Sequence, residues 1–162
     1  MTGAAVAALL WFCVIGCGLI GGLFFAFSTF VMTALGRIDP RSGTAAMNAI
    51  NTVILRSLFM PLFFGTTLAS AALAAIALFE LDAAGAGAML AGGAIYVLGM
   101  FVCTIAFNVP LNNALQAVDA GGETALPVWQ RYLTQWTRWN HVRTVASVVS
   151  CGLFVYALVE RG

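Results

Sequence analysis

Residues 136–159 have the sequence WTRWNHVRTVASVVSCGLFVYALV, and the contrast between its two halves decides the fold. Val145–Val159 is almost purely apolar, whereas the residues before it include two tryptophans, two arginines and the single histidine. A spanning helix needs about 20 mostly apolar residues, so the apolar half must be extended towards the N-terminus to cross a bilayer. We predict one long helix that begins near Pro127, a favourable first-turn residue, and carries costly polar groups at the membrane surface.

The composition of the whole chain indicates a membrane protein. Of its 162 residues 62% are hydrophobic and 8% are charged, whereas roughly 25% are charged in soluble domains. We predict an all-α integral membrane four-helix bundle in one domain, with long helices projecting beyond the bilayer on one side. The spans are expected at about 5–36, 57–79, 86–115 and 127–160. The first span lacks the basic region of a signal peptide, so we expect a retained anchor.

The connections between these spans contain turn and helix signals. Ile38–Gly43 is predicted as a turn, and Thr44 as the cap of a short helix over Ala45–Arg56. Ala117–Pro127 is predicted as a loop because it contains two glycines and two acidic residues. These signals indicate that the first and third connections are compact.

Small residues within the apolar segments indicate close helix packing. In the first span, Gly18 and Gly22 form a small-xxx-small pair, for which we predict close contact with another helix. The four cysteines also lie in apolar segments, where they behave as small apolar residues; they are Cys13, Cys17, Cys103 and Cys151. They therefore say little about the redox compartment.

The distribution of charge predicts the orientation. There is no lysine, and the first and third connections carry six of the seven arginines, namely Arg37, Arg41, Arg56, Arg131, Arg138 and Arg143. The positive-inside rule then places both termini outside and these connections in the cytoplasm, in a bacterial-type inner or plasma membrane. No basic run is present that would follow a nucleic-acid backbone, so the expected partner is the lipid bilayer and not nucleic acid.

The third span is interrupted by polar residues. Thr104, Asn108 and Asn112 recur at four-residue spacing and therefore share one face of a helix. The neighbouring Pro110 removes a backbone hydrogen bond. Because amides in hydrocarbon need partners, we expect this face to point into the bundle. Two interpretations remain open, namely that the amides only tie helices together or that they bind a ligand.

On a helical wheel at 100° per residue, one stripe of the last helix is aromatic and polar. We expect this stripe to face the interior; it comprises Trp129, Tyr132, Trp136, Asn140, Arg143, Ser147, Ser150 and Phe154. The opposite face is predicted to contact lipid and comprises Val145, Val149, Gly152 and Tyr156. An arginine at the mouth of a bundle can neutralise an anionic or phenolate group, pair with an acid, or snorkel to the surface.

His141 does not belong to the interior stripe, since a straight helix places it roughly 140° from Trp136. An imidazole that titrates near neutral pH can serve as a general base. The other interpretation is that His141 lies at the membrane surface with its hydrogen bonds satisfied and has no catalytic role. No cofactor is predicted, because there is no second histidine, no HExxH and no nucleotide motif; recruitment of a metal between subunits is left open.

Four stretches together carry a resemblance to a known family: Gly22–Ser28, Ala46–Asn51, Phe107–Asn112 and Trp136–Thr144. In their order the chain resembles the anthrone oxygenase-like family of small membrane proteins, long catalogued as a domain of unknown function. The resemblance implies that an anthrone is oxidised to an anthraquinone with O₂, without a flavin or haem. A base would remove a proton, a cation would stabilise the enolate, and the carbanion would react with oxygen directly.

The resemblance also implies roles for individual residues. His141 would be the base and Arg143 the oxyanion partner, with a hydrophobic aromatic molecule from the bilayer as substrate. The expected substrate-binding residues are Asn108, Asn112, Asn140, Trp136, Asn51 and Phe27. Two alternatives remain open: a non-catalytic protein that binds a quinone- or lipid-like molecule, and a structural subunit of a membrane complex. Formation of a homo-oligomer is also left open.

Overall fold

The computed structural model describes residues 3–119 and 125–162, and within these residues the regular structure is entirely helical. Its five helices are α1 (Gly3–Leu35), α2 (Pro40–Ile54), α3 (Phe59–Phe79), α4 (Ala86–Gln116) and α5 (Ala125–Arg161). All except α2 are long and apolar enough to cross a membrane. The predicted all-α membrane bundle is thus confirmed. Of the predicted loop before α5, residues 120–124 lie outside the described residues.

The spanning helices differ in length, and the longer ones extend beyond α3 on one side of the bundle. Helix α3 has 21 residues, which at 1.5 Å per residue is close to the roughly 30 Å of a hydrocarbon core. Helices α1, α4 and α5 have 33, 31 and 37 residues. Phe24 of α1 contacts Phe59, the first residue of α3, with ring centroids 6.2 Å apart. The rest of α1 therefore extends beyond α3.

We call the extension the projecting half; it comprises residues 25–56, 105–119 and 125–142, and the remainder is the membrane half. Each half has its own apolar core. The core of the membrane half includes Leu10, Ile20, Leu73, Met100 and Phe154. That of the projecting half includes Met32, Met47, Leu115, Trp129 and Trp136. Buried and half-buried polar residues separate the two cores, and we call them the polar layer: Ser28, Thr104, Asn108, Asn140, Arg143 and Thr144.

Helix α2 begins earlier than predicted. Asp39, and not Thr44, is the N-cap, because Oδ2 of Asp39 accepts a hydrogen bond from the backbone N–H of Ser42 at 3.0 Å. Pro40 then occupies the first turn, where its missing N–H costs nothing. The predicted turn is therefore wrong from its third residue on, and Thr44 is a buried residue inside the helix, which ends at Ile54.

Helix α1 packs through glycines other than those predicted. Gly16 lies against α3 and Gly21 against α5, whereas Gly18 and Gly22 have open space where a side chain would stand. The predicted contact of Gly18 and Gly22 is wrong. The physical reason is that α1 is apolar on all sides, so its sequence does not indicate which side faces the bundle.

Three segments beside the polar layer are wound more widely than an α-helix. They are Phe27–Val31 in α1, and Tyr96–Val102 and Thr104–Asn108 in α4. Such π-helical turns occur frequently at functional sites. In α4 the last of them directly precedes the regular segment Val109–Gln116, so Pro110 stands in the first turn of that segment. The wide turn thus accommodates a proline inside a spanning helix.

Candidate functional site

The interior stripe predicted for α5 is buried along its whole length, which confirms the prediction. Its members are Trp129, Tyr132, Trp136, Asn140, Arg143, Ser147, Ser150 and Phe154. The predicted lipid face is exposed at all four of its positions, which are Val145, Val149, Gly152 and Tyr156. Five of the ten buried polar or charged residues of the described chain thus lie on this one helix.

Arg143 is buried at the junction of the two halves, with 4% of the residue exposed. Its Nη2 donates to Asn140 Oδ1 at 2.7 Å, and its Nη1 donates to Thr104 Oγ1 at 3.5 Å. The guanidinium carbon lies 4.1 Å from the ring centroid of Phe24 and 5.0 Å from that of Trp136. The cation is thus held by aromatic faces and neutral oxygens.

No carboxylate lies within ion-pair distance of Arg143 among residues 3–119 and 125–162. Its Nε is buried and has no hydrogen-bond partner in the described part of the chain. Of the three roles expected for this arginine, pairing with an acid and snorkelling therefore do not describe its position. A buried cation without a counter-ion is costly, so the site favours an anionic or strongly polarised oxygen.

Asn140 positions the guanidinium and ties α5 to α1. Its Nδ2 donates to the carbonyl oxygen of Phe24 and to Ser28 Oγ, both at 2.7 Å. Its Oδ1 accepts from Arg143, and the residue is fully buried. Because both ends of the amide are already engaged, Asn140 is a supporting residue of the site.

A cavity of about 360 Å³ adjoins Arg143, with residues of all five helices in its walls. The volume falls within the roughly 300–1,000 Å³ typical of small-molecule sites. Most of its lining is apolar and includes Phe24, Phe27, Phe59, Phe63, Phe101 and Trp136. The polar side chains in the lining, besides Arg143, are Asn51, Thr52, Thr104, Asn112, Asn113 and Gln116.

The cavity opens where α3 begins, and we call this apolar opening the mouth. Three apolar lining residues there are strongly exposed: Leu55 at 64%, Phe64 at 48% and Ile105 at 53%. The exposed polar lining residues belong to the projecting half and are Thr52, Asn113 and Gln116. Since α3 has the length of the hydrocarbon core, its first turn lies near one surface of the membrane. The opening therefore adjoins lipid at that level.

Five of the eight predicted site residues line this cavity, namely Phe27, Asn51, Asn112, Trp136 and Arg143. Asn108 is buried beside them and donates from Nδ2 to the carbonyl oxygen of Trp136 at 3.2 Å. Asn140 supports Arg143 as described above. His141 is exposed and does not line the cavity. The helical wheel thus correctly predicted that His141 lies off the interior stripe, and the role of His141 as a base stays a prediction.

Sequence reasoning gave no role to Tyr132 and overlooked the aromatic wall of α3. Tyr132 donates its hydroxyl to Asn112 Oδ1 at 2.8 Å and accepts from Asn51 Nδ2 at 3.5 Å. Phe59 and Phe63 are one helical turn apart, with ring centroids separated by 5.7 Å. Their four-residue spacing was a signal, but aromatic residues in spans are too common for it to be specific.

Where the structure describes the chain, no three side chains of His, Cys, Asp or Glu lie together as metal ligands. The four cysteines are free thiols, and three of them are buried in the membrane half or at its edge. The site as described thus consists of one guanidinium, amides, hydroxyls and aromatic rings.

A comparison with known protein families finds one match. The family model described as anthrone oxygenase matches residues 55–153, which is more than half of the chain. No curated protein and no solved structure matches. The matched region covers α3, α4 and most of α5, and therefore includes Asn112, Trp136 and Arg143, whereas Phe27 and Asn51 precede it. The chain belongs to the anthrone oxygenase family, as an oxygenase-like protein embedded in the membrane.

Proposed function

We propose that the protein oxidises a hydrophobic anthrone, or a related phenolic ketone, with O₂ in the cavity beside Arg143. The observation that carries the proposal is a buried guanidinium at one side of an aromatic-lined cavity, with no carboxylate partner in the part of the chain that the structure describes. Such a site suits a flat neutral molecule that becomes anionic during its reaction, because preorganised charge stabilises the anion more than the neutral ground state.

Arg143 acts on the oxygen of the substrate. When the benzylic carbon loses a proton, the ketone becomes an enolate whose negative charge resides largely on that oxygen. The enolate carbon then forms a bond to O₂ and gives a hydroperoxide. Loss of water from the hydroperoxide leaves a second carbonyl, so one substrate and one O₂ yield one quinone and one water. Stabilisation of the enolate in a site of low dielectric lowers the barrier to the first step.

The proton acceptor is water inside the cavity. His141 is exposed outside the cavity. The exposed amides of Asn113 and Gln116 belong to the lining, but they lie more than two helical turns from Thr104, which contacts Arg143. Because a general base must lie within hydrogen-bond reach of the proton it removes, the acceptor is a water molecule beside the carbon that Arg143 has made more acidic.

The substrate enters from the bilayer through the apolar mouth. The exposed side chains of Leu55, Phe64 and Ile105 present a surface that a lipid-dissolved aromatic molecule can cross without contact with water. The projecting half carries the arginine-rich connections, so the positive-inside rule orients it, together with the mouth, towards the cytoplasm.

Oxygen uptake with anthrone, measured on detergent-purified protein, tests the proposal. We expect Arg143→Met to lower kcat/KM by about 100-fold or more, as removal of an oxyanion donor does, and Arg143→Lys to retain part of the activity. His141→Ala is expected to retain wild-type turnover, since the imidazole lies outside the cavity. Thermal unfolding of each variant controls for its folding.

Three results would contradict parts of this account. Full activity in Arg143→Met would remove the guanidinium from the mechanism. Loss of turnover in a folded His141→Ala variant would restore the imidazole as the base. Wild-type protein that binds anthrone without consuming oxygen would leave a binding protein, which is the second candidate function that the same cavity supports.

A further inference from the structure

The cavity has a second polar region, distant from Arg143. Asn51 of α2 and Asn112 of α4 both line the cavity, and Tyr132 of α5 joins them. Tyr132 is itself almost fully buried, with 1% of the residue exposed. Three helices thus contribute to one small network at the end of the cavity that lies in the projecting half.

The network leaves hydrogen-bonding groups available on the two amides. The hydroxyl of Tyr132 donates to Asn112 Oδ1, so the Nδ2 of this amide does not bond to Tyr132. The Nδ2 of Asn112 and the Oδ1 of Asn51 have no hydrogen-bond partner among the described residues. One donor and one acceptor are therefore free on side chains that line the cavity.

The two polar regions lie about two helical turns apart along α4. Thr104, which contacts Arg143, and Asn112 are eight residues apart on this helix, a rise of less than about 12 Å because Thr104–Asn108 is wound more widely than an α-helix. The cavity lining also includes the apolar and aromatic side chains of Phe27, Met47 and Ile50. The reacting oxygen of an anthrone lies on its central ring, so a substituent on an outer ring, with a hydrogen bond at each end, spans this distance when the oxygen meets Arg143.

We propose that Asn51 and Asn112 form a second polar subsite, which binds a hydrogen-bonding substituent on the edge of the substrate remote from Arg143. Tyr132 is its positioning residue, because it touches the amides and not the reacting atoms. The inference rests on the proposed function for the role of Arg143. The subsite fixes which edge of the ring system enters first, and so distinguishes a substrate with a polar group on an outer ring from one without it.

The test compares two probes, namely unsubstituted anthrone and an anthrone with one hydroxyl on an outer ring. The Kd of each is measured by quenching of tryptophan fluorescence under argon, and KM and kcat by oxygen uptake. Tyr132→Phe is expected to raise Kd and KM about tenfold for the hydroxylated probe, the value of one hydrogen bond. The constants for unsubstituted anthrone and kcat for both probes are expected to remain unchanged.

Two further variants keep the result interpretable. Tyr156→Phe is the matched control, because it removes the hydroxyl of an exposed tyrosine from the same helix and should leave both probes unaffected. Asn51→Ala tests the subsite from the half-buried position on α2 and should reproduce the selective loss even where Tyr132→Phe unfolds.

The outcomes separate the inference from the proposed function. Equal effects on both probes, or no effect on either, in folded Tyr132→Phe and Asn51→Ala variants would overturn the second subsite and leave oxidation untouched. If the two variants lose binding of the hydroxylated probe alone, and the wild-type protein consumes no oxygen, the subsite is supported and the proposed oxidation is overturned. Failure of the wild-type protein to bind either probe would overturn both.

Discussion

Replacement of Asn140 most directly tests whether the hydrogen bonds of the polar layer stabilise the bundle. It is fully buried and makes three hydrogen bonds of 2.7 Å, to the carbonyl oxygen of Phe24, to Ser28 and to Arg143. The variant Asn140→Ala deletes all three at once and leaves a charged donor without one of its acceptors. Since a new partner would have to come from buried apolar surroundings, we expect the bundle to lose stability.

The magnitude follows from the type of each bond. Hydrogen bonds between membrane helices average about 0.6 kcal/mol, whereas bonds to a charged group are worth roughly 1.5–3 kcal/mol. Two bonds of the first kind and one of the second give about 3–4 kcal/mol. For a chain of this size, 1 kcal/mol shifts Tm by about 2–4 °C, so we expect a decrease of about 6–16 °C.

Thermal unfolding in one detergent, followed by circular dichroism, measures this decrease. Asn113→Ala is the matched control, because it removes an exposed amide and should leave Tm almost unchanged. The double variant Asn140→Ala/Arg143→Met should lose less stability than the sum of its single variants, since the two side chains share a bond. A Tm of Asn140→Ala equal to that of Asn113→Ala would refute the reasoning and would leave apolar packing as the sole support of the junction.

Two further predictions concern the mouth and the orientation. Ile105→Trp narrows the mouth and should lower kcat/KM for anthrone several-fold without a change in Tm. Leu98→Trp is the control, because Leu98 is exposed on the same helix away from the cavity, and it should leave oxygen uptake unchanged. Equal rates of oxygen uptake in the two variants would contradict entry of the substrate at this mouth. In intact cells, Ser42→Cys should react with a membrane-impermeant maleimide only after lysis, and labelling before lysis would reverse the orientation proposed for the projecting half.

The fold and one wall of the site follow from the sequence because helix α5 is amphipathic in an unusual way. Its aromatic and polar residues recur at helical spacing against an apolar opposite face, so the wheel predicts that Trp136 and Arg143 face inwards. Helix α1 has no such contrast, and for that reason the choice between Gly16 and Gly18 as the packing residue required the structure.

Other parts of the site depend on contacts that side-chain types do not specify. Asn140 binds a backbone carbonyl oxygen of α1, a group that every residue carries. The network of Asn51, Tyr132 and Asn112 joins three helices and requires their relative heights in the bundle. The start of α2 is different, since Asp39 followed by a first-turn proline is a recognisable N-terminal signal. This signal can be read from the sequence, and it outweighs the capping preference of Thr44.

The π-helical turns of α4 have a consequence for how one helix performs two tasks. A π-helical turn corresponds to one residue inserted into an α-helix, and one residue rotates all later side chains by about 100°. The part of α4 before these turns packs through glycines, with Gly93 against α3 and Gly92 against α5. The part after them presents Asn112, Asn113 and Gln116 to the cavity. The wide turns act as a change of register, so that the anchoring surface and the binding surface of the same helix are set by separate stretches of sequence.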